Sequence, residues 1–165
     1  MLRKVCSILS TILLLILLVL ACLLFVPNLL GYQSFAVVSG SMEPTYPVGS
    51  IVYAKETPFN ELEVGDVISY SISEDTKVTH RITAIDTEKQ QFTTKGDANN
   101  TEDGEPVNYS SVIGKVVFDV PYLGYLSQYI RTPLGIAIGC GVIFIMILLN
   151  FLPDIFSEES KKEEK

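Results

Sequence analysis

The chain has a single histidine, His80, three cysteines, and no charged residue anywhere from 5 to 42. Each shortage excludes something. One histidine argues against a zinc centre. The cysteines, Cys6, Cys22 and Cys140, all lie in or beside two long apolar stretches. The segment between those stretches therefore has neither a disulfide nor a thiolate metal site, and no cofactor is expected. Basic side chains are scarce there as well. Between 31 and 131, seven Lys and Arg stand against fourteen Asp and Glu, a net of −7 that equals the charge of the whole chain. That balance argues against nucleic acid as a partner.

What is present begins with the apolar stretches. Residues 8–26 are almost entirely Leu, Ile, Val, Ala and Phe, long enough to cross a hydrocarbon core that needs about 20 residues. Arg3 and Lys4 precede this run as a secretory signal would have it, but a cleaved signal has an apolar core of only about 7–15 residues, so a retained anchor is expected. A second uncharged run covers 132–153. Basic residues near span ends stay on the cytoplasmic side. Arg3 and Lys4 at one end, with Lys161, Lys162 and Lys165 at the other, put both termini there. The expected order is a cytoplasmic 1–6, a transmembrane helix 7–28, an extracytoplasmic domain 29–131, a transmembrane helix 132–153 and a cytoplasmic tail 154–165. A lipid bilayer is then one partner, and about 100 residues suffice for one compact domain.

Within that domain the pattern is β. Segments 34–38, 50–55, 66–72, 77–86, 90–95 and 112–118 are rich in β-branched and aromatic residues, separated by Pro- and Gly-bearing turns. No window outside the spans holds helical periodicity for three turns. The stretch 96–110, rich in Asn, Asp, Glu and Gly, has the composition of a solvated surface loop. It includes two glycosylation sequons, at Asn99 and Asn108, which stay unassigned.

Three places in the domain carry chemistry. Ser41 stands in Ser39-Gly40-Ser41-Met42-Glu43-Pro44, a Gly-containing turn that can expose a side chain. A serine hydroxyl needs a neighbouring base to become a nucleophile, and an isolated Ser-Gly-Ser is an ordinary polar turn. His80 stands in Lys77-Val78-Thr79-His80-Arg81-Ile82-Thr83. In a strand of period two it shares an apolar row with Val78, Ile82 and Ala84, where a core histidine is the plainer reading. It is nevertheless the only side chain of a type whose charge ordinarily changes between pH 5 and 8, so a histidine base here can only be His80. Third, Asp97 and Asp103 lie in Lys95-Gly96-Asp97-Ala98-Asn99-Asn100-Thr101-Glu102-Asp103. A carboxylate on the far ring nitrogen would hold the tautomer of His80, and spacing does not choose between the two.

Taken in order, Ser39–Pro44, Gly65-Asp66-Val67-Ile68-Ser69-Tyr70, Thr79-His80-Arg81-Ile82 and Thr94-Lys95-Gly96-Asp97-Ala98-Asn99 resemble signal peptidase I, peptidase family S26, of the archaeal and endoplasmic-reticulum type that includes Gram-positive bacterial members. The resemblance covers the whole domain and the N-terminal anchor. It implies a mostly β peptidase domain between two transmembrane helices. The implied activity is that of a membrane-bound serine endopeptidase removing N-terminal signal peptides after small residues, in an Ala-X-Ala pattern. It makes secretory preproteins the substrates and leaves room for association with the secretion translocon. The location it implies is the plasma membrane, multi-pass, with the domain outside, or lumenal in a eukaryote.

Residue by residue, the resemblance makes Ser41 the nucleophile and His80 the general base. A second type of signal peptidase uses lysine there, but the block reads Thr-His-Arg, and Lys77 is expected on the opposite strand face. Asp103 is favoured as the third triad member, with Asp97 in support. The Ser41 amide and the Ser39 hydroxyl are the implied oxyanion-hole donors. Phe35, Val37, Val52 and Tyr70 are the expected lining of shallow substrate pockets. The competing reading is a catalytically inactive membrane-tethered binding domain of the same fold.

Overall fold

The computed structural model describes residues 2–163. They form two compact units, one made of the long terminal helices and one spanning Pro27–Ser127. The first helix, α1 (Leu2–Leu29), is apolar through most of its length. It ends where Gly31 takes φ +84°, a left-handed conformation that glycine adopts at little cost at a helix C-terminus. The last helix, α3, covers Pro133–Glu163. Both have segments long and apolar enough to cross a membrane, Lys4–Leu29 and Pro133–Phe151. The helices run further than the expected spans. α1 takes in residues assigned to a cytoplasmic N-terminus, and α3 continues through 154–163, where a separate tail was expected. The side chains of Arg3 and of 152–165 lie outside the described residues, so of the charges used for orientation only Lys4 is described, and it is exposed.

Within the helical unit, Asn150 Nδ2 donates to Ser10 Oγ at 2.9 Å. Gly139 and Gly141 have open space where a Cβ would stand, and Gly135 abuts the Tyr129 carbonyl of the preceding turn.

The second unit is a seven-stranded, fully antiparallel sheet: β1 (Tyr32–Ala36), β2 (Ile51–Lys55), β3 (Val67–Ser71), β4 (Lys77–Asp86), β5 (Gln91–Lys95), β6 (Val107–Asn108) and β7 (Val112–Val120), in the spatial order β1-β2-β7-β3-β4-β5-β6. Six strands fall where β-branched and aromatic residues cluster. β6 is only two residues long, too short to leave a periodic signal. The helix α2 (Leu123–Ile130) was likewise not expected; two turns beside a long apolar run do not stand out as a separate element.

Alternation along the strands feeds two buried clusters. Ile68 and Tyr70 of β3 pack with Leu62, Ile82, Phe92 and Val107, while Val67 packs with Met42, Val52, Ala54 and Val116. The strict period expected for β4 breaks at a bulge between Ile82 and Ala84. The extra residue reverses the alternation, so Ile85 packs on the core and Ala84 is exposed. His80 lies before the bulge and keeps its place between Val78 and Ile82.

Candidate active site

Ser41 sits in a single 3₁₀ turn, Gly40–Met42. Met42 is 2% exposed and anchors the turn in the second cluster, which leaves Ser41 at the surface of a fixed support. The bond closing the turn runs from the Glu43 N–H to the Gly40 carbonyl, so closing the turn does not use the Ser41 amide. Ser39 Oγ lies 3.3 Å from Ser41 Oγ.

Two contacts from the 96–103 loop lock the turn in place. The Ala98 N–H donates to the Ser41 carbonyl at 2.9 Å. At Gly96, a Cβ would come within 2.6 Å of that same carbonyl oxygen, an approach only glycine allows. The stretch read from composition as a solvated surface loop therefore holds the Ser41 turn.

His80 is 8% exposed. Its Nδ1 lies 2.6 Å from Asp103 Oδ2, so the neutral ring carries its proton on Nδ1 and leaves Nε2 as the basic lone pair. The same carboxylate oxygen accepts from Thr94 Oγ1 at 2.6 Å and from the Tyr70 hydroxyl at 3.2 Å. The Asp103 N–H donates to the Thr94 carbonyl at 2.8 Å, which fixes the backbone as well. Burial by itself raises the Asp103 carboxyl, but hydrogen bonds from Thr94, His80 and Tyr70 outweigh it and hold the group below the ordinary carboxylate value. Burial pushes the Tyr70 hydroxyl up to about 12, so it stays protonated and donates.

Asp97 has a different set of partners. Arg81 grips it with Nε to Oδ1 at 2.7 Å and Nη2 to Oδ2 at 2.6 Å, and Thr45 Oγ1 adds a bond at 2.5 Å. The Arg81 bonds are the main reason its carboxyl is depressed. Arg81 also donates to the Gly65 carbonyl at 2.7 Å. One guanidinium thus ties together the Gly65-Asp66 block, the Lys95-Gly96-Asp97 block and, through Thr45, the segment following Ser41. The sequence reading passed over Arg81, Thr45 and Thr94. The available signal was that Arg81 lies on the strand face opposite His80, where a fork-shaped cation needs a carboxylate.

Ser41 and His80 line one cleft of about 430 Å³, together with Phe35, Val37, Ser39, Met42 and Val52. Of the four expected pocket residues, Phe35 and Val37 are half-buried on its wall, and Val52 is wholly buried beneath it. Tyr70 is not in this cleft. It lines a different depression, and its hydroxyl is committed to Asp103, because β3 and β4 place it on the far side of the histidine from Ser41. Lys77, expected on the opposite strand face, also lines the Ser41 cleft, with Nζ donating to the Glu74 carbonyl. Among the described residues, no group of His, Cys, Asp or Glu is arranged to hold a metal ion.

A mostly antiparallel β unit that presents a half-buried serine and a carboxylate-bound histidine in one cleft, in a chain that also has two long apolar helices, has the architecture of a membrane-associated serine peptidase. The family model described as "Signal peptidase, peptidase S26" matches residues 8–107, and the chain belongs to that family. It is 44% identical over 91 residues to a protein named signal peptidase I W from Bacillus subtilis (strain 168), an alignment covering 52% of this chain and 47% of the relative. The chain therefore spans about half the length of the curated relative it matches.

Proposed function

We propose that this protein is a membrane-bound serine endopeptidase that removes N-terminal signal peptides from secretory preproteins. The observation that carries the reading is the 2.6 Å contact of His80 Nδ1 with Asp103, on a histidine that shares a cleft with Ser41. In this mechanism His80 Nε2 takes the Ser41 Oγ proton as Oγ attacks the scissile carbonyl. The resulting tetrahedral oxyanion is received by the Ser41 amide and the Ser39 hydroxyl. Collapse breaks the C–N bond, and His80 returns the proton to the leaving amine. A water then attacks the acyl-serine, losing its proton to His80, which passes it back to Oγ as the acid product leaves. Asp103 holds the ring and stabilises the imidazolium. Asp97 acts at a distance, through Arg81 and the Ser41 turn.

Phe35 and Val37 on the wall of the Ser41 cleft form an apolar lining for small side chains in this reading, in keeping with an Ala-X-Ala preference. Preproteins bearing Phe at the first and third positions before the cut should resist cleavage, and unimpaired cutting of them would remove this lining from the specificity. The two apolar helices support a multi-pass protein of the plasma membrane with residues 29–131 outside. Anchoring there confines enzyme and membrane-held substrate to one thin layer, next to any translocon that delivers the chain.

The test is cleavage of an Ala-X-Ala preprotein by the full chain in membranes, comparing wild type with Ser41→Ala and His80→Lys across about pH 5–9. Wild type should cut and lose activity toward acid pH, as a mechanism with a neutral histidine base requires, and Ser41→Ala should abolish cutting. Persistent cutting by Ser41→Ala would sink the nucleophile assignment. If wild type cuts no preprotein and does not label with a serine-acylating probe, the fold serves as a tethered binding domain.

A further inference from the structure

A second cleft, of about 510 Å³, lies beyond His80 from Ser41. Its lining includes Ser71, Ile72, Asp103, Glu105, Pro106 and Asn108. Its size is within the range of ligand-holding sites, about 300–1,000 Å³. Among the described residues only Val78 and His80 line both clefts, so the two meet at the histidine. Its walls come from the end of β3, the start of β4 and the 103–106 segment that Asp103 pins to Thr94.

We propose that this second cleft receives the residues that follow the scissile bond, the first stretch of the released protein, and that Glu105 biases it toward polar and cationic side chains. This rests on reading Ser41 as nucleophile and His80 as base. Given that reading, the direction of the bound chain follows from the chemistry. The scissile carbonyl must lie against Ser41, and the leaving nitrogen must come within about 2.6–3.2 Å of the histidine nitrogen that protonates it. The residues before the cut then occupy the Ser41 cleft with Phe35 and Val37, and the residues after it leave past His80 into the second cleft.

The electrostatic preference follows from the lining. Asp103 and Glu105 are its charged residues, and no Lys or Arg lines it among the described residues. The Asp103 carboxylate is taken up by His80, Thr94 and Tyr70, whereas Glu105 is exposed on the rim. A lysine two or three residues after the cut would meet an acidic wall, and a glutamate there would meet like charge.

Two measurements decide the proposal. The first compares kcat/KM on preproteins that differ only in Lys or Glu at the second residue after the cut. Wild type should favour Lys by roughly 2- to 5-fold, the size expected of an exposed charge pair, and Glu105→Lys should abolish or invert the ratio. An unchanged ratio in the variant overturns the charge preference. The second uses Ser41→Ala with a preprotein carrying a photoreactive residue at that same position. Cross-links should fall within 104–108, and cross-links to Phe35 or Val37 instead would overturn the assigned direction. Because this readout needs binding only, it stands even if turnover fails; absence of cutting by wild type would count against the peptidase reading, and the position of the cross-link judges the cleft.

Discussion

Two aspartates six positions apart do different work because they have different partners. Asp103 accepts from His80, Thr94 and Tyr70; Asp97 is held by Arg81 and Thr45. Asp103→Asn should leave the fold intact yet lower kcat by about 10⁴-fold, because the amide can present its NH₂ to Nδ1 and turn the ring to the wrong tautomer. Stopped assays at saturating substrate, paired with a melting curve, would check both halves. Tyr70→Phe removes one of the three donors to Asp103 and should cost about 0.5–1.5 kcal/mol of stability with a smaller loss of turnover. A Tyr70→Phe enzyme as impaired as Asp103→Asn would show that the phenol does more than position the carboxylate.

The elements around the site behave as clamps on one short turn. The Gly40–Met42 turn is held from below by Met42 in the core and from the side by the 96–103 loop. Gly96→Ala would set a Cβ 2.6 Å from the Ser41 carbonyl and 2.8 Å from the Asn99 amide nitrogen. Since the first is backbone, the turn must shift. Activity should fall at least 10²-fold, the scale of loss that a misplacement of about 1 Å produces, while the sheet, measured by circular dichroism, stays folded. Arg81→Lys keeps the charge but loses the fork that spans Asp97 and Gly65. It should destabilise the unit by about 1–2 kcal/mol, allowing for the partial exposure of the pair, and chemical denaturation would show it.

For the molecule as a whole, the shifted carboxylates set the pH response. Asp97 and Asp103 have folded-state values below their unfolded ones, so their contribution is present above the ordinary value of about 4 and is lost as pH falls through the depressed values. Melting temperature should therefore drop steeply below about pH 4, and Asp97→Asn should flatten that drop. Asp119 has the opposite sign: burial raises it, so its contribution is fully present below its unfolded value and is lost as pH rises through the folded one. Asp119→Asn should accordingly raise the melting temperature at pH 7, and a fall would mean the carboxylate has a partner that offsets its burial.

Composition and periodicity were enough for the two apolar helices and six of the seven strands, because each is a local property, solvent preference or strand alternation; the pairing of His80 with Ser41 came from the family resemblance, with one histidine available as the candidate. β6 and α2 escaped because elements of two and eight residues form through neighbours that local periodicity does not encode. The choice between Asp97 and Asp103, tilted toward Asp103 by the resemblance, was left open by spacing for a related reason. Both lie in one loop, and which of them reaches His80 depends on the antiparallel pairing of β4 with β5 and on the backbone bond from Asp103 to Thr94. The placement of Tyr70 behind the histidine depends on the register of β3 against β4. Ser41 and His80 were marked out by the family resemblance, but their surroundings come from contacts between residues distant in the chain, and those exist only once the sheet has closed.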